Sequence, residues 1–166
     1  LKKRSIKKVI DLGCGDFRVG NLIDKSSVQY IGVDIVPDLI STNKKLYSSS
    51  NVSFLCLNAV QDDLPDGDLC LVRQLFQHLS NEHISQILQK CKKYKYVIVS
   101  EHLPTGDNIV PNLDMNAHWD IRAIQNSGVF IDKAPFNYKS EILLELDPDH
   151  KGYEGSVIRT SLIQNQ

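Results

Sequence analysis

The chain contains the run Val9-Ile10-Asp11-Leu12-Gly13-Cys14-Gly15, an apolar stretch that closes on two glycines one residue apart. A short continuous apolar run reads as a strand buried on both faces. Glycines directly after it accept positive φ and let the backbone approach a ligand closely. Val19, Leu22 and Ile23 then recur at helical spacing, so the turn enters a helix whose first N–H groups are expected to be free for a ligand. A strand, a glycine turn and a helix in that order commit the chain to parallel strands joined by crossovers.

The rhythm continues downstream. Tyr30–Asp34 is a second apolar strand, and Pro37 suits the first turn of a helix marked by Leu39, Ile40, Leu46 and Tyr47. Val52–Leu57 is a third strand. The turn Pro65-Asp66-Gly67 leads into a fourth, Asp68–Val72. Ser80 is an expected N-cap, Leu79 and Ile84 stand at staple spacing, and Ile84, Ile87, Leu88 and Cys91 form an apolar stripe. Tyr96–Ser100 is a fifth strand. Residues 104–137 carry three prolines, two glycines and five asparagines with little periodicity, as a functional loop or lid would. Glu141–Leu146 and Ser156–Ile163 then read as two strands joined by the turn-rich Asp147–Gly155. The whole is one α/β domain over 1–166, a doubly wound sandwich with a mostly parallel seven-stranded sheet and an antiparallel C-terminal hairpin.

Composition narrows the partners. The 166 residues are 42% hydrophobic and 23% charged, with net charge −1. That balance argues against holding nucleic acid by bulk positive charge. The one basic cluster, Lys2-Lys3-Arg4 with Lys7-Lys8, is explained as a solvated lead-in to the first strand. No apolar run is long enough for a bilayer and no signal peptide is visible. Cys14, Cys56, Cys70 and Cys91 have no metal-ligand spacing and are expected to be free thiols in a reducing compartment, the cytoplasm. The first strand begins close to Leu1, so a segment capping the site is expected to be missing upstream.

Asp34 ends the second strand about 20 residues after the glycine turn, where an acid can accept hydrogen bonds from a ribose diol. The pair points to an adenosine-containing cofactor. A dinucleotide site wants a third glycine three residues after the second. Here Asp16, Phe17 and Arg18 follow, and the next glycine is Gly20. Asp11 would also repel a nearby pyrophosphate and suits a zwitterionic or cationic ligand.

On Asp11-Leu12-Gly13-Cys14-Gly15 and Asp34 the chain resembles the class I S-adenosylmethionine-dependent methyltransferases, which have a Rossmann-like fold. Asn58-Ala59 after the third strand and Gln74-Leu75-Phe76-Gln77-His78-Leu79 after the fourth extend the likeness over nearly the whole chain. The resemblance implies S-adenosylmethionine as cofactor and S-adenosylhomocysteine as product. It implies that Asp11, Gly13, Cys14, Gly15, Asp34, Ile35, Asn58, Ala59 and Arg73 hold the cofactor. Plainer readings stand beside these: Asp34 as an N-cap, Asn58 as a turn residue, Ile35 as an ordinary core position, Arg73 as half of a structural ion pair.

Methyl transfer from a sulfonium needs a positioned acceptor and, for a hydroxyl or protonated amine, a base. His78, Glu101, His102 and His118 are the unranked candidates, with at least one of Glu101 and His102 expected to face the pocket. Asp114, Trp119 and Arg122 are expected to bind a small polar acceptor, Arg122 through an anion and Trp119 as a wall. Arg73-Gln74-Leu75-Phe76 lacks the run carried by amino-methylating DNA enzymes, and no metal is implied. The expected activity is methylation of O or N on a small molecule. A cofactor-binding sensor or inactive partner subunit is one alternative, and a nicotinamide-dependent oxidoreductase is another. A homodimer is left open.

Overall fold

The computed structural model describes residues 5–115, 122–147 and 155–165. The glycine turn follows β1 (Lys8–Leu12) and leads into α1 (Arg18–Leu22). Then come β2 (Gln29–Asp34), α2 (Pro37–Tyr47), β3 (Val52–Cys56), β4 (Leu69–Arg73), α3 (Asn81–Cys91) and β5 (Tyr96–Pro104). The chain continues through the short β6 (Val110–Pro111) and β7 (Ser127–Gly128) to β8 (Glu141–Leu146) and β9 (Ser156–Gln164). Seven strands form one sheet in the order β3-β2-β1-β4-β5-β9-β8. The first five are parallel, and β9 runs antiparallel between β5 and β8. The C-terminal hairpin therefore joins the sheet through its second strand, leaving β8 as the edge.

Alternation along the strands divides two cores. Ile10, Leu12, Cys70, Val72, Val97 and Val99 face the stripe Ile84, Ile87, Leu88 and Cys91 of α3. Ser80 caps that helix as expected, accepting from the His83 N–H at 3.2 Å. On the other face Val9, Tyr30, Val52, Phe54 and Leu71 pack with Phe17 and Ile40. Phe17 anchors this side. Its ring meets Tyr30 at 5.6 Å and Phe54 at 4.8 Å, both edge-on, a geometry the aromatic quadrupole favours. α1 has only five residues, and the exposed Cys56 reflects the edge position of β3.

The segment 104–137 is more ordered than its composition suggests. β5 runs on to Pro104, four residues past the end of its pairing with β4 at Ser100. β6 pairs with β7, and Val129, Ile131 and Phe136 join the α3-side core. Asn112 is buried and satisfies this turn region: its side chain donates to the Phe130 and Ala134 carbonyls and accepts from the Phe130 N–H. Asparagine here substitutes for the ladder hydrogen bonds that the irregular backbone cannot make.

Gly20 tests the aromatic anchor. A β-carbon there would lie 2.5 Å from the Phe17 ring. Gly20→Ala is expected to destabilise the fold by about 1–3 kcal/mol through overpacking, read as a lower urea midpoint. A midpoint equal to wild type would show that the Phe17 ring has room to give.

Candidate active site

The site lies at the carboxyl ends of β1, β2 and β4, where open α/β sheets collect ligands. Gly13 and Gly15 both have positive φ, +71° and +54°. The Gly13 and Cys14 N–H groups donate to the Val33 carbonyl at 2.8 and 3.0 Å, and the Gly15 N–H donates to Asp34 Oδ2 at 2.9 Å. These amides tie the turn to the end of β2. Asn43 of α2 closes the loop from behind, donating to the Gly15 carbonyl at 2.7 Å. Cys14 turns inward, and burial pushes its thiol up to about 12.

Beside the turn is a slot of about 90 Å³ walled by Ile35, Leu57, Ala59, Val60, Leu75 and Leu79, with Gly13 and Asp34 at its lining. It has room for a planar ring system. Asp34 Oδ1 accepts from the Val36 N–H at 3.0 Å, while α2 has no side-chain cap. Each Asp34 oxygen thus holds one backbone N–H and keeps acceptor capacity for a further donor. Ile35 is 58% exposed, so it stands at the slot rather than in a core. Asn58 lines the slot and also makes a turn: its Oδ1 accepts from the Val60 and Gln61 N–H groups. Lys90 of α3 supports the same loop through the carbonyls of Ala59, Val60 and Asp62.

Below the glycine turn Asp11 is fully buried. Tyr30 donates to its Oδ2 at 2.7 Å, and Arg73 Nη2 reaches the same oxygen at 3.2 Å. Burial raises the Asp11 carboxyl above the usual range, against the pull of the Arg73 charge and the Tyr30 hydrogen bond. Arg73 is thus half of an ion pair. Among the described residues Asp11 Oδ1 and Arg73 Nε are buried without a hydrogen-bond partner.

On the acceptor side the expected cluster separates. Glu101 is buried and accepts from the N–H groups of Phe76 at 2.9 Å and Gln77 at 3.2 Å, holding the 3₁₀ turn Phe76–His78. Its neighbour His102 points to the opposite face and meets Ser156 Oγ at 2.7 Å, with its pKa lowered by burial. His78 is half-buried, and its Nδ1 has no partner among the described residues.

Arg122 does not stand open to an anion. It is 2% exposed and donates to Asn81 Oδ1, the Leu113 carbonyl and the Leu79 carbonyl. Asp114 caps α3 from outside, accepting from the Asn81 N–H at 2.8 Å. Both residues pin the 104–137 segment onto the start of α3, because buried polar groups require partners. His118 and Trp119 lie outside the described residues, as does any contact they make. Sequence reasoning missed Leu75, Leu79, Tyr30, Asn43 and Lys90. Only Leu75 and Leu79 carried a signal, by lying in the run after β4.

No group of three or more potential metal ligands occurs among the described residues, and no described helix is long and apolar enough to cross a membrane.

Glu101 makes stability depend on pH. Burial lifts its carboxyl to about 8, against the N–H bonds from Phe76, Gln77 and Leu75 and the charge of Arg122. The folded chain then holds a proton that the unfolded chain releases near pH ~4.3. The folded state binds more protons between those values, so stability falls as pH rises through that window and levels above it. Urea denaturation at pH 5.5 and 8.5 should show a larger loss in wild type than in Glu101→Gln. Equal losses would mean that Glu101 is ionised throughout.

The geometry agrees with what comparison finds. The family model for the methyltransferase domain matches residues 9–94, just over half of the chain. Protein 235L of Invertebrate iridescent virus 6, whose name marks it as a proposed methyltransferase, is 25% identical over 162 residues, covering 93% of this chain and 58% of its own length. The chain thus spans a little over half of that relative. Among solved structures, the N-methyltransferase NodS of Bradyrhizobium japonicum, in complex with S-adenosyl-L-homocysteine, superposes with TM-score 0.69 at 8% identity over 96% of this chain and 78% of its own. The methyltransferase domain of bacterial CtHen1 superposes with TM-score 0.64 at 20% identity over 99% and 93%. Human N-acetylserotonin methyltransferase, in complex with S-adenosylmethionine, gives 0.64 at 15% over 96% and 48%. With its strand order, glycine turn and matched residues 9–94, the chain belongs to the methyltransferase domain family.

Proposed function

We propose that this domain transfers a methyl group from S-adenosylmethionine to an oxygen or nitrogen of a small polar acceptor. One observation carries the cofactor reading: the Asp34 carboxylate, with acceptor capacity left on both oxygens, stands at an apolar slot sized for a ring system. Asp34 would take the ribose hydroxyls. Leu57, Ala59, Leu75 and Leu79 would sandwich the adenine, and Ile35 would cover it from the solvent side. S-adenosylmethionine, when bound, supplies a methyl group already activated on a sulfonium. The protein's part is then to position the acceptor, exclude water and accept a proton.

His78 is the proposed base. Glu101 has committed its oxygens to backbone N–H groups and His102 is bonded to Ser156, whereas His78 Nδ1 has no partner among the described residues. The 3₁₀ turn that carries His78 also sets Leu75 and Leu79 against the slot. Acceptor identity is proposed only as to class, and the free thiols favour a reducing compartment such as the cytoplasm.

A nicotinamide-dependent reading has less support. Gly20, offset from the dinucleotide pattern, makes room for Phe17 instead, and Asp11 lies beneath the glycine turn.

Calorimetric titration with S-adenosylhomocysteine tests the cofactor. Wild type should bind, and Asp34→Ala should bind at least about tenfold more weakly through loss of charge-assisted hydrogen bonds. Equal affinity for the two would sink the assignment. Homocysteine-linked turnover on a panel of small hydroxyl and amine acceptors tests catalysis. His78→Asn should lower turnover about 10²-fold or more with S-adenosylhomocysteine affinity unchanged. Binding without turnover on any acceptor would favour a sensor or partner subunit.

A further inference from the structure

Lys90 belongs to α3, yet its ammonium leaves the helix to meet the loop that follows β3. Nζ donates to the Val60 and Asp62 carbonyls, each at 2.7 Å, and to the Ala59 carbonyl at 3.3 Å. The three donors of an ammonium are thereby matched to three backbone acceptors. These acceptors lie 28 to 31 residues away in the chain.

The loop is a single turn that winds like a helix and then stops. The Gln61 and Asp62 N–H groups donate back to the Asn58 carbonyl at 3.1 and 2.8 Å. Asn58 Oδ1 caps the start, accepting from the Val60 N–H at 2.9 Å, and Asp62 Oδ2 accepts from the Asn58 N–H at 2.8 Å. One turn is marginal by itself, because its formation fixes several dihedrals for few hydrogen bonds. Its last carbonyls have no following turn to bond them, and they carry partial negative charge. Lys90 supplies both the missing donors and the matching charge. The same turn presents Asn58, Ala59 and Val60 to the slot, and Ile87, one turn earlier on α3, lines it as well. Lys90 thus ties two walls of the slot to each other.

We propose that Lys90 is a positioning residue that holds the 58–62 turn in place, so that Asn58, Ala59 and Val60 form a ready-made wall for the adenosine end of the cofactor. This rests on the cofactor reading above. Lys90 itself is not part of the slot lining, so it acts through the turn and not on the ligand. Its contribution is preorganisation: a pinned turn does not have to be ordered when the cofactor enters. Without the ammonium the wall is competent only part of the time, and apparent affinity falls by that fraction. A lysine that served the fold alone would change stability and leave the affinity of the folded chain as it was.

Lys90→Met keeps an aliphatic stem on α3 and removes all three donors. Calorimetry at a temperature where the chain is folded should show S-adenosylhomocysteine affinity falling about tenfold. Lys90→Arg keeps a charge and several donors and should bind at least about threefold more tightly than Lys90→Met. Amide hydrogen exchange on the ligand-free protein gives the second readout. The Val60 and Asp62 N–H groups should lose protection in Lys90→Met while the amides of β1 and β4 keep theirs. Unchanged affinity in Lys90→Met overturns the proposal. So does an equal loss in Lys90→Met and Lys90→Arg, or a loss of protection spread through the sheet. Should Lys90→Met fail to fold, Asp62→Ala, at an exposed position, removes the acceptor of the Asn58 N–H and loosens the same turn. It should weaken S-adenosylhomocysteine about threefold or more, and unchanged affinity there counts against the proposal. Wild type that does not bind S-adenosylhomocysteine overturns the cofactor reading itself. Wild type that binds it, with Lys90→Met binding equally well, overturns the role of Lys90 alone.

Discussion

Hydrogen bonds from Gly13 and Cys14 to the Val33 carbonyl, and from Gly15 to the Asp34 carboxylate, stitch the end of β1 to the end of β2. The rest of the site depends on this stitch. It brings Asp34 to the mouth of the slot and sets the direction in which α1 leaves the sheet. It also brings Asn43 of α2 onto the Gly15 carbonyl. Gly13 and Gly15 stand at positive φ in this turn, which explains glycine at both positions. The turn is built from the inside by the protein's own acceptors.

Buried ionisable groups divide the labour at this end of the sheet. Asp11 lies under the glycine turn with Tyr30 and Arg73. Glu101 holds the 3₁₀ turn after β4, and Arg122 ties the segment beyond β5 to the start of α3. Each desolvated group has polar partners, as burial of charge demands. Glu101 and Arg122 serve the scaffold. Asp11 and Arg73 pair with each other beneath the glycine turn.

Much of the architecture was legible because burial on both faces forces apolar continuity. Val9–Leu12, Leu69–Val72 and Tyr96–Val99 could hardly be anything but inner strands. The stripe Ile84, Ile87, Leu88 and Cys91 declared α3, and Ser80 its start. The glycine turn and Asp34 were legible because their chemistry is local. The acceptor side was harder. Glu101 and His102 are adjacent in sequence, and strand alternation sends them to opposite faces with different partners. Arg122 reads as a loop cation until three acceptors distant in the chain close around it. Tyr30 reads as one more aromatic in an apolar strand, because its hydroxyl's partner is 19 residues away.

The sequence by itself determined the parallel α/β sheet, the glycine turn and the acid that follows the second strand. Those depend on hydrophobic period and on conformational demands made within a few residues. The tertiary structure alone decided which polar side chains close on partners within the fold and which line the slot. That choice rests on long-range hydrogen bonding and desolvation, and neither is encoded in the spacing of residues along the chain. Arg73 and Arg122 show it. Arg73 pairs with Asp11 on the neighbouring strand, whereas Arg122 donates to the Asn81 side chain and to the Leu79 and Leu113 carbonyls.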